Sequence, residues 1–115
     1  MDIVFSKEID RILGMNGIFL KDIGINNWAI SKDDALAALN QLLEISIPIL
    51  GGDVCYVSNR KIELNYDSWF YEREIDEPFS EYIYNSNLKA KEYIENYPKG
   101  DLSVFFILVC DTLLK

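Results

Sequence analysis

The sequence predicts an α+β domain in which about three helices pack on a mostly antiparallel sheet of about four or five strands, as a single pair of layers. Two segments show the helical spacing of apolar residues, several shorter ones alternate or are continuously apolar, and turn residues separate them. The chain has 115 residues, and 50% of them are hydrophobic. That length suits one core and is too short for two, so we expect a single domain over residues 1–115.

The first part of the chain should form a short helix, an irregular stretch and the first strands. Residues 6–13 place apolar side chains on one helical face, and Ser6 is a suitable N-cap. Glycines then interrupt the chain around the short apolar segment Ile18-Phe19-Leu20. The next apolar segment is Trp28-Ala29-Ile30.

The strongest helical signal begins at Ser31. This N-cap residue is followed by Asp33 and Asp34, in the first turn, where the helix dipole favours anions. Leucines and alanines then recur at spacings of three and four residues, which makes a buried stripe. The helix should end near residues 44–46, because Pro48 disfavours helical geometry in the residue before it.

The rest of the chain should supply most of the sheet and one more helix. From Ile47 to Val57 we expect an extended segment, a bend at Gly51-Gly52 and a strand, and a polar turn at 58–61 should follow. Residues 62–66 alternate as a strand and 68–72 continue it as a strand or hairpin arm. A charged loop at 74–78 and a helix over 80–97 come next. The apolar segment 102–110 predicts a central strand that is covered on both faces.

Charge and composition exclude several classes of function. The chain carries 11 Lys and Arg against 19 Asp and Glu, a formal net charge of −8, which opposes binding to nucleic acids and anionic membranes. It has no His, so Ser-His-Asp and Cys-His catalysis and His-containing zinc sites are excluded within one chain. No apolar run approaches the roughly 20 residues of a membrane helix, and no targeting segment is visible, so we expect a cytoplasmic protein.

The two cysteines, Cys55 and Cys110, lie in apolar segments and outside any CxxC motif. We expect two buried, reduced thiols, since a disulfide would require the two strands to be neighbours.

The acidic residues concentrate between Glu63 and Glu81, where seven acids and one base, Arg73, give a net charge of −6. Aromatic residues among carboxylates suit a protein-binding surface, although the same rings could instead form a core beside solvated acids. Strand alternation places Asp67, Trp69 and Tyr71 on one face and Ser68, Phe70 and Glu72 on the other. The candidate partner-binding residues are Asp53, Asp67, Trp69, Tyr71, Glu72, Glu74, Asp76 and Glu77.

The sharpest local motif is Gly51-Gly52-Asp53. Two adjacent glycines indicate either positive φ or a close approach to another chain. Asp53 would then cap the bend or be presented to a ligand. The motif is similar to the Gly-Gly-Asp of nucleotide cyclases, but Val54-Cys55 follows in place of Glu-Phe, and no Lys, Ser or Thr follows as a phosphate-binding loop requires.

Paired carboxylates are the remaining route to catalysis or to a Mg²⁺ or Ca²⁺ site. Asp53, Glu63, Asp67 and Glu72 are the candidates, but none has the spacing of an EF-hand. The residues therefore give no metal-binding motif, although a carboxylate-based site stays open as an alternative.

Segments along nearly the whole chain resemble a family of small immunity proteins of bacterial polymorphic toxin systems, whose hallmark is a Gly-Gly-Asp-Val-Tyr motif. The similar segments are 27–30, 47–54, 66–70 and the apolar last strand, with Ser86, Ala90, Tyr93, Ile94 and Tyr97 between them. One departure is that Cys55 stands where the motif has Tyr, with Tyr56 one place later. A shift of one residue turns a strand side chain to the opposite face.

The resemblance implies a non-catalytic protein that binds and neutralises a cognate toxin, with no catalytic residue, no metal and no cofactor. The acidity suggests that it occludes the toxin's active site or a basic surface. Two alternatives stay open at this point: a small carboxylate-based, metal-dependent hydrolase, and a structural module that self-associates through an exposed strand edge.

Overall fold

The structure, a computed structural model, describes residues 3–59, 61–98 and 103–112. Its elements in chain order are α1 (Ile3–Gly14), β1 (Ile18–Phe19), a 3₁₀ turn (Lys21–Ile23), β2 (Trp28–Ser31), α2 (Lys32–Glu44), β3 (Ile49–Ser58), β4 (Lys61–Phe70), α3 (Phe79–Asn96) and β5 (Ser103–Cys110). The predicted turn residue Arg60 and Leu102, the first residue of the predicted last strand, lie outside the described residues.

The sheet confirms the predicted α+β class. Its five strands are ordered β1-β2-β5-β3-β4, and every neighbouring pair is antiparallel. The last strand in sequence therefore lies at the centre, between β2 and β3. Its consecutive residues Phe106, Ile107 and Leu108 are all buried, so this strand is covered on both faces at its middle, as predicted.

Most of the core lies between the sheet and the helices, on what we call the helix face of the sheet. Val54, Phe106 and Leu108 from the strands pack there with Leu39 of α2 and Ile94 of α3. A smaller cluster lies on the opposite face and consists of Leu20, Ala29, Cys55 and Ile107. The second face is thus covered only in part, by the short segment that follows β1.

The helices begin and end close to the predicted positions. The side chain of Ser31 accepts a hydrogen bond from the backbone N–H of Asp34 and so caps α2 as expected. Helix α3 begins and ends one residue before the predicted bounds. The N-cap role expected for Ser6 is wrong, because α1 already begins at Ile3. No helix among the described residues is long and apolar enough to cross a membrane.

The bend expected at Gly51-Gly52 is wrong. Both glycines lie inside β3, which runs unbroken from Ile49 to Ser58. A close approach does account for Gly52, but it comes from the same chain and not from another one: a Cβ atom on Gly52 would lie 2.2 Å from Cη2 of Trp69. Asp53 accordingly caps no bend, but is an exposed strand residue that pairs with Ser68 and Ile107.

Both cysteines are free thiols, and Cys55 is buried as predicted, whereas Cys110 is only half-buried because it lies at the end of β5. Although β3 and β5 are neighbours, Cys55 pairs with Phe105 and Cys110 pairs with Ile49, so the two thiols lie at different ends of the ladder. Burial raises the pKa of Cys55 to about 11 and that of Cys110 to about 12. Neither thiol is therefore set up to act as a nucleophile at neutral pH.

Candidate partner-binding surface

The edge strand β4 carries a bulge that displays an aromatic side chain. Asp53 pairs with Ser68 and Cys55 pairs with Leu64, so β4 has two extra residues over this interval. Tyr66 lies in the bulge with a φ of 68° and is 88% exposed. A residue other than glycine in this conformation costs about 1–3 kcal/mol, and such strain often marks a functional position.

A polar network holds the bulge against the end of α3. The side-chain amide of Asn65 donates to the hydroxyl oxygens of Tyr97 at 2.6 Å and Tyr56 at 3.1 Å. The amide oxygen of Asn65 accepts from the backbone N–H of Asp67 at 2.9 Å, and the Tyr97 hydroxyl donates to the Asp67 carboxylate at 2.6 Å. Burial, and then this last bond, raise the pKa of the Tyr97 phenol.

Residues 71–78, which we call the acidic loop, connect β4 to α3. The buried carboxylate of Glu77 fixes this loop through three hydrogen bonds. It accepts from the Tyr71 hydroxyl at 2.6 Å, the Asn85 amide at 2.9 Å and the backbone N–H of Glu74 at 3.3 Å. The hydrogen bonds from Tyr71 and Asn85 keep the pKa of Glu77 below its usual range. The loop is therefore ordered before any partner arrives.

Arg73, the one base between Glu63 and Glu81, makes its contacts within the protein. Its guanidinium donates to the backbone oxygen of Glu77 at 3.0 Å and lies 4.6 Å above the ring of Tyr82. The exposed carboxylates of the loop therefore remain free to attract a cation from outside. They belong to Glu72, Glu74 and Asp76.

Apolar side chains are exposed among these acids. Ile75 at the tip of the acidic loop is 98% exposed, Tyr66 88% and Phe70 64%. These are the three most exposed large hydrophobic side chains in the described part of the chain, and they lie within ten residues of one another in sequence. An exposed apolar group with an acidic rim is typical of a protein-binding surface.

The structure distributes the sequence-predicted residues between surface and core. Asp53, Asp67, Glu72, Glu74 and Asp76 are exposed, and Tyr71 is half-buried. Trp69 and Glu77 are only 7% and 9% exposed, so they offer little contact area in this conformation. Trp69 is stacked on Tyr93 with ring centroids 4.8 Å apart, and its indole N–H has no hydrogen-bond partner among the described residues.

Three exposed apolar residues were not among the sequence candidates: Tyr66, Phe70 and Ile75. Ile75 had a usable signal, since it lies between Glu74 and Asp76 in a segment predicted to be a charged loop. Strand alternation correctly placed Phe70 and Trp69 on opposite faces. It could not show that the face with Trp69 packs against the helices and the face with Phe70 is exposed.

The acidic residues of this surface are not grouped as a cation site would require. Among the described residues, no group of three or more Cys, Asp or Glu side chains is placed to hold a metal ion. Asp53 and Asp67, two of the paired-carboxylate candidates, lie on opposite faces of the sheet. Asp53 is paired with Ser68 and Ile107 on the side away from the helices, whereas Asp67 accepts a hydrogen bond from Tyr97, which packs against the core on the helix face.

Comparison with known proteins identifies a family match. Neither curated proteins nor solved structures match the chain. The family model described as Immunity protein 40 matches residues 19–110, well over half of the sequence. This match confirms the resemblance to immunity proteins, while the Gly-Gly-Asp-Val-Tyr hallmark stays a prediction. On the strength of this match, the chain belongs to the Immunity protein 40 family.

Proposed function

We propose that this chain is the cytoplasmic immunity protein of a bacterial polymorphic toxin system. It binds a cognate toxin and occludes its active site or a basic surface, without catalysing any reaction. Membership of an immunity protein family supports the class of function. The observation that carries the mechanism is the acidic loop, which is ordered from beneath by Glu77 and displays Ile75 at its tip.

The loop supplies both parts of a binding surface. Ile75 is almost fully exposed, so a partner pocket that covered it would gain about 1.5–3 kcal/mol from burial of its side chain. Glu72, Glu74 and Asp76 would attract a basic toxin surface and raise the association rate. Because hydrogen bonds to Glu77 already order the loop, binding costs little further ordering entropy.

Association of the purified chain with the inactivated toxin domain encoded beside its gene tests this proposal. We expect Ile75→Ala to raise Kd about tenfold or more, because it removes the apolar contact at the tip. The matched control is Met15→Ala, which truncates another apolar side chain that is 61% exposed and should leave Kd unchanged.

The charges are tested through the association rate. The double variant Glu74→Gln/Asp76→Asn should slow association and flatten its dependence on salt. Asp33→Asn/Glu44→Gln removes the same charge from α2 and serves as the control. An association rate that stays flat across salt concentrations for the unmodified chain contradicts the electrostatic mechanism. Absence of binding, or a rise in melting temperature with Mg²⁺, Ca²⁺ or Mn²⁺, contradicts the function itself.

A further inference from the structure

The sheet has a second exposed surface, on the side away from the helices. The register places Phe70, Gly51 and Val109 side by side in one row of that face, and Leu64, Cys55 and Phe105 in another. Directly paired residues point to the same side of a sheet. We call this surface, formed by β3, β4 and the facing side chains of β5, the open face.

The open face is mainly apolar and is left uncovered along β4. Phe70 is 64% exposed, Leu64 38% and Val109 36%. Val57 and Ile62, which pair with each other at the far end, are half-buried. Leu20, in the segment after β1, packs with Ala29, Cys55 and Ile107, and Ile62 and Phe105 lie against this cluster. The uncovered part of the open face is therefore the part around Phe70, Leu64 and Val109.

One carboxylate lies in the middle of this apolar surface. Asp53 is exposed and sits in the row between those of Phe70 and Leu64, where it is flanked by Ser68 and Ile107. It is the only charged residue among the β3, β4 and β5 positions that the register places on this face. Among the described residues, no hydrogen bond or salt bridge engages its side chain.

We propose that the open face is a second contact for the same toxin, and that it receives an apolar patch of the toxin that contains one arginine or lysine, which pairs with Asp53. This inference rests on the proposed function. A wholly apolar partner is disfavoured, because it would bury the Asp53 carboxylate without a counter-charge at a cost of several kcal/mol. A cation at that position instead gains from the reduced screening that the surrounding apolar side chains create.

A second copy of this chain fits the open face poorly. Two such faces packed about a twofold axis would bring two Asp53 carboxylates into one apolar interface. Each chain also carries a net charge of −8, which opposes association between copies. The charge of Asp53 therefore favours a partner with a basic residue.

The test compares open-face variants with controls of the same chemistry on the other face. Asp53→Asn and Phe70→Ala should each raise Kd for the inactivated toxin domain about tenfold or more. Glu63→Gln removes an exposed acid from the same hairpin, at a position paired with Tyr56 on the helix face, and should change Kd less than about twofold. Urea unfolding of each variant checks that it remains folded.

The outcomes separate this inference from the proposed function. If Ile75→Ala weakens binding while Asp53→Asn and Phe70→Ala bind like the unmodified chain, the open face is not a contact and the function stands. If the unmodified chain does not bind the toxin domain, both fall. A dimer in solution that Phe70→Ala dissociates would overturn the inference, since the occupant would then be a second copy.

Discussion

Replacing Gly52 by alanine tests how the core is built around Trp69. A Cβ atom at this position would lie 2.2 Å from Cη2 and 2.6 Å from Cζ3 of the indole. Ordinary carbon contacts are about 3.5–4.0 Å, so the ring would have to move by more than about 1 Å. That shift disturbs the stack on Tyr93, and overpacking of this kind costs roughly 1–3 kcal/mol.

A double-mutant cycle isolates that contact. Trp69→Leu alone should destabilise the protein by about 2–4 kcal/mol, within the roughly 5–15 kcal/mol of a typical domain. In that background Gly52→Ala should cost about 1–2 kcal/mol less than it does alone, because the clashing ring atoms are gone. Some cost remains, since the new Cβ also lies 2.6 Å from the backbone oxygen of Ile107. Urea unfolding of the four proteins measures the coupling.

Gly51→Ala is the matched control for this cycle. Its Cβ would lie 2.3 Å from the backbone oxygen of Trp69, which stays in place when the side chain is shortened. Its cost should therefore be the same with and without the Trp69→Leu change, within about 0.5 kcal/mol. Equal costs for Gly52→Ala in the two backgrounds would refute the view that the indole ring is what requires glycine at position 52.

Two further predictions concern ionisable groups. Glu77→Gln removes the charge that Tyr71 and Asn85 bind, so the Tyr71 phenol pKa, now raised chiefly by its hydrogen bond to Glu77, should fall in a spectroscopic titration. The pKa of Glu77 is depressed in the folded state, so the ionised Glu77 stabilises the fold above the unfolded pKa of about 4.3, and this stabilisation is lost as the pH falls through the folded pKa. Urea midpoints measured against pH should therefore lose this acid-side decrease in Glu77→Gln. If the decrease below about pH 4.3 is the same in the variant, the hydrogen-bond network does not stabilise the fold through Glu77. The two thiols give stability the opposite dependence on pH. The folded pKa values of Cys55 and Cys110 are about 11 and about 12, above the unfolded value of about 8.5, so the neutral thiols stabilise the fold fully below that value and less as the pH rises above it. A thiol reagent at about pH 8 should accordingly label both only slowly until the protein unfolds, and rapid labelling of the native protein would contradict this.

The elements that local sequence signals specify were predicted well. Helix α2 has a cap at Ser31, a periodic stripe and a stop signal at Pro48, and all three lie within or beside the helix itself. The central strand β5 was predictable because continuous apolar sequence indicates cover on both faces. The unbroken path of β3 was not predictable, because its two glycines are required by the close approach of Trp69, which lies 17 positions after Gly52 in the sequence.

The candidate surface was predicted only in part, for a related reason. The clustering of acids between Glu63 and Glu81 is visible in the sequence, and several of them are exposed as expected. Alternation placed Trp69 and Phe70 on opposite faces, but the choice between inside and outside depends on where α3 packs. That is tertiary information, and no local pattern around the two aromatic residues contains it.

The bulge in β4 connects the two exposed surfaces. It inserts two residues, an even number, so the alternation of side chains keeps its phase on either side of it. Leu64 therefore faces the same way as Phe70, and both belong to the open face. An insertion of one residue would have turned Leu64 toward the helices and left the apolar surface around Asp53 without it. The strained conformation of Tyr66 thus has two consequences at once: it displays an aromatic ring at the edge of the sheet, and it preserves the apolar row behind it.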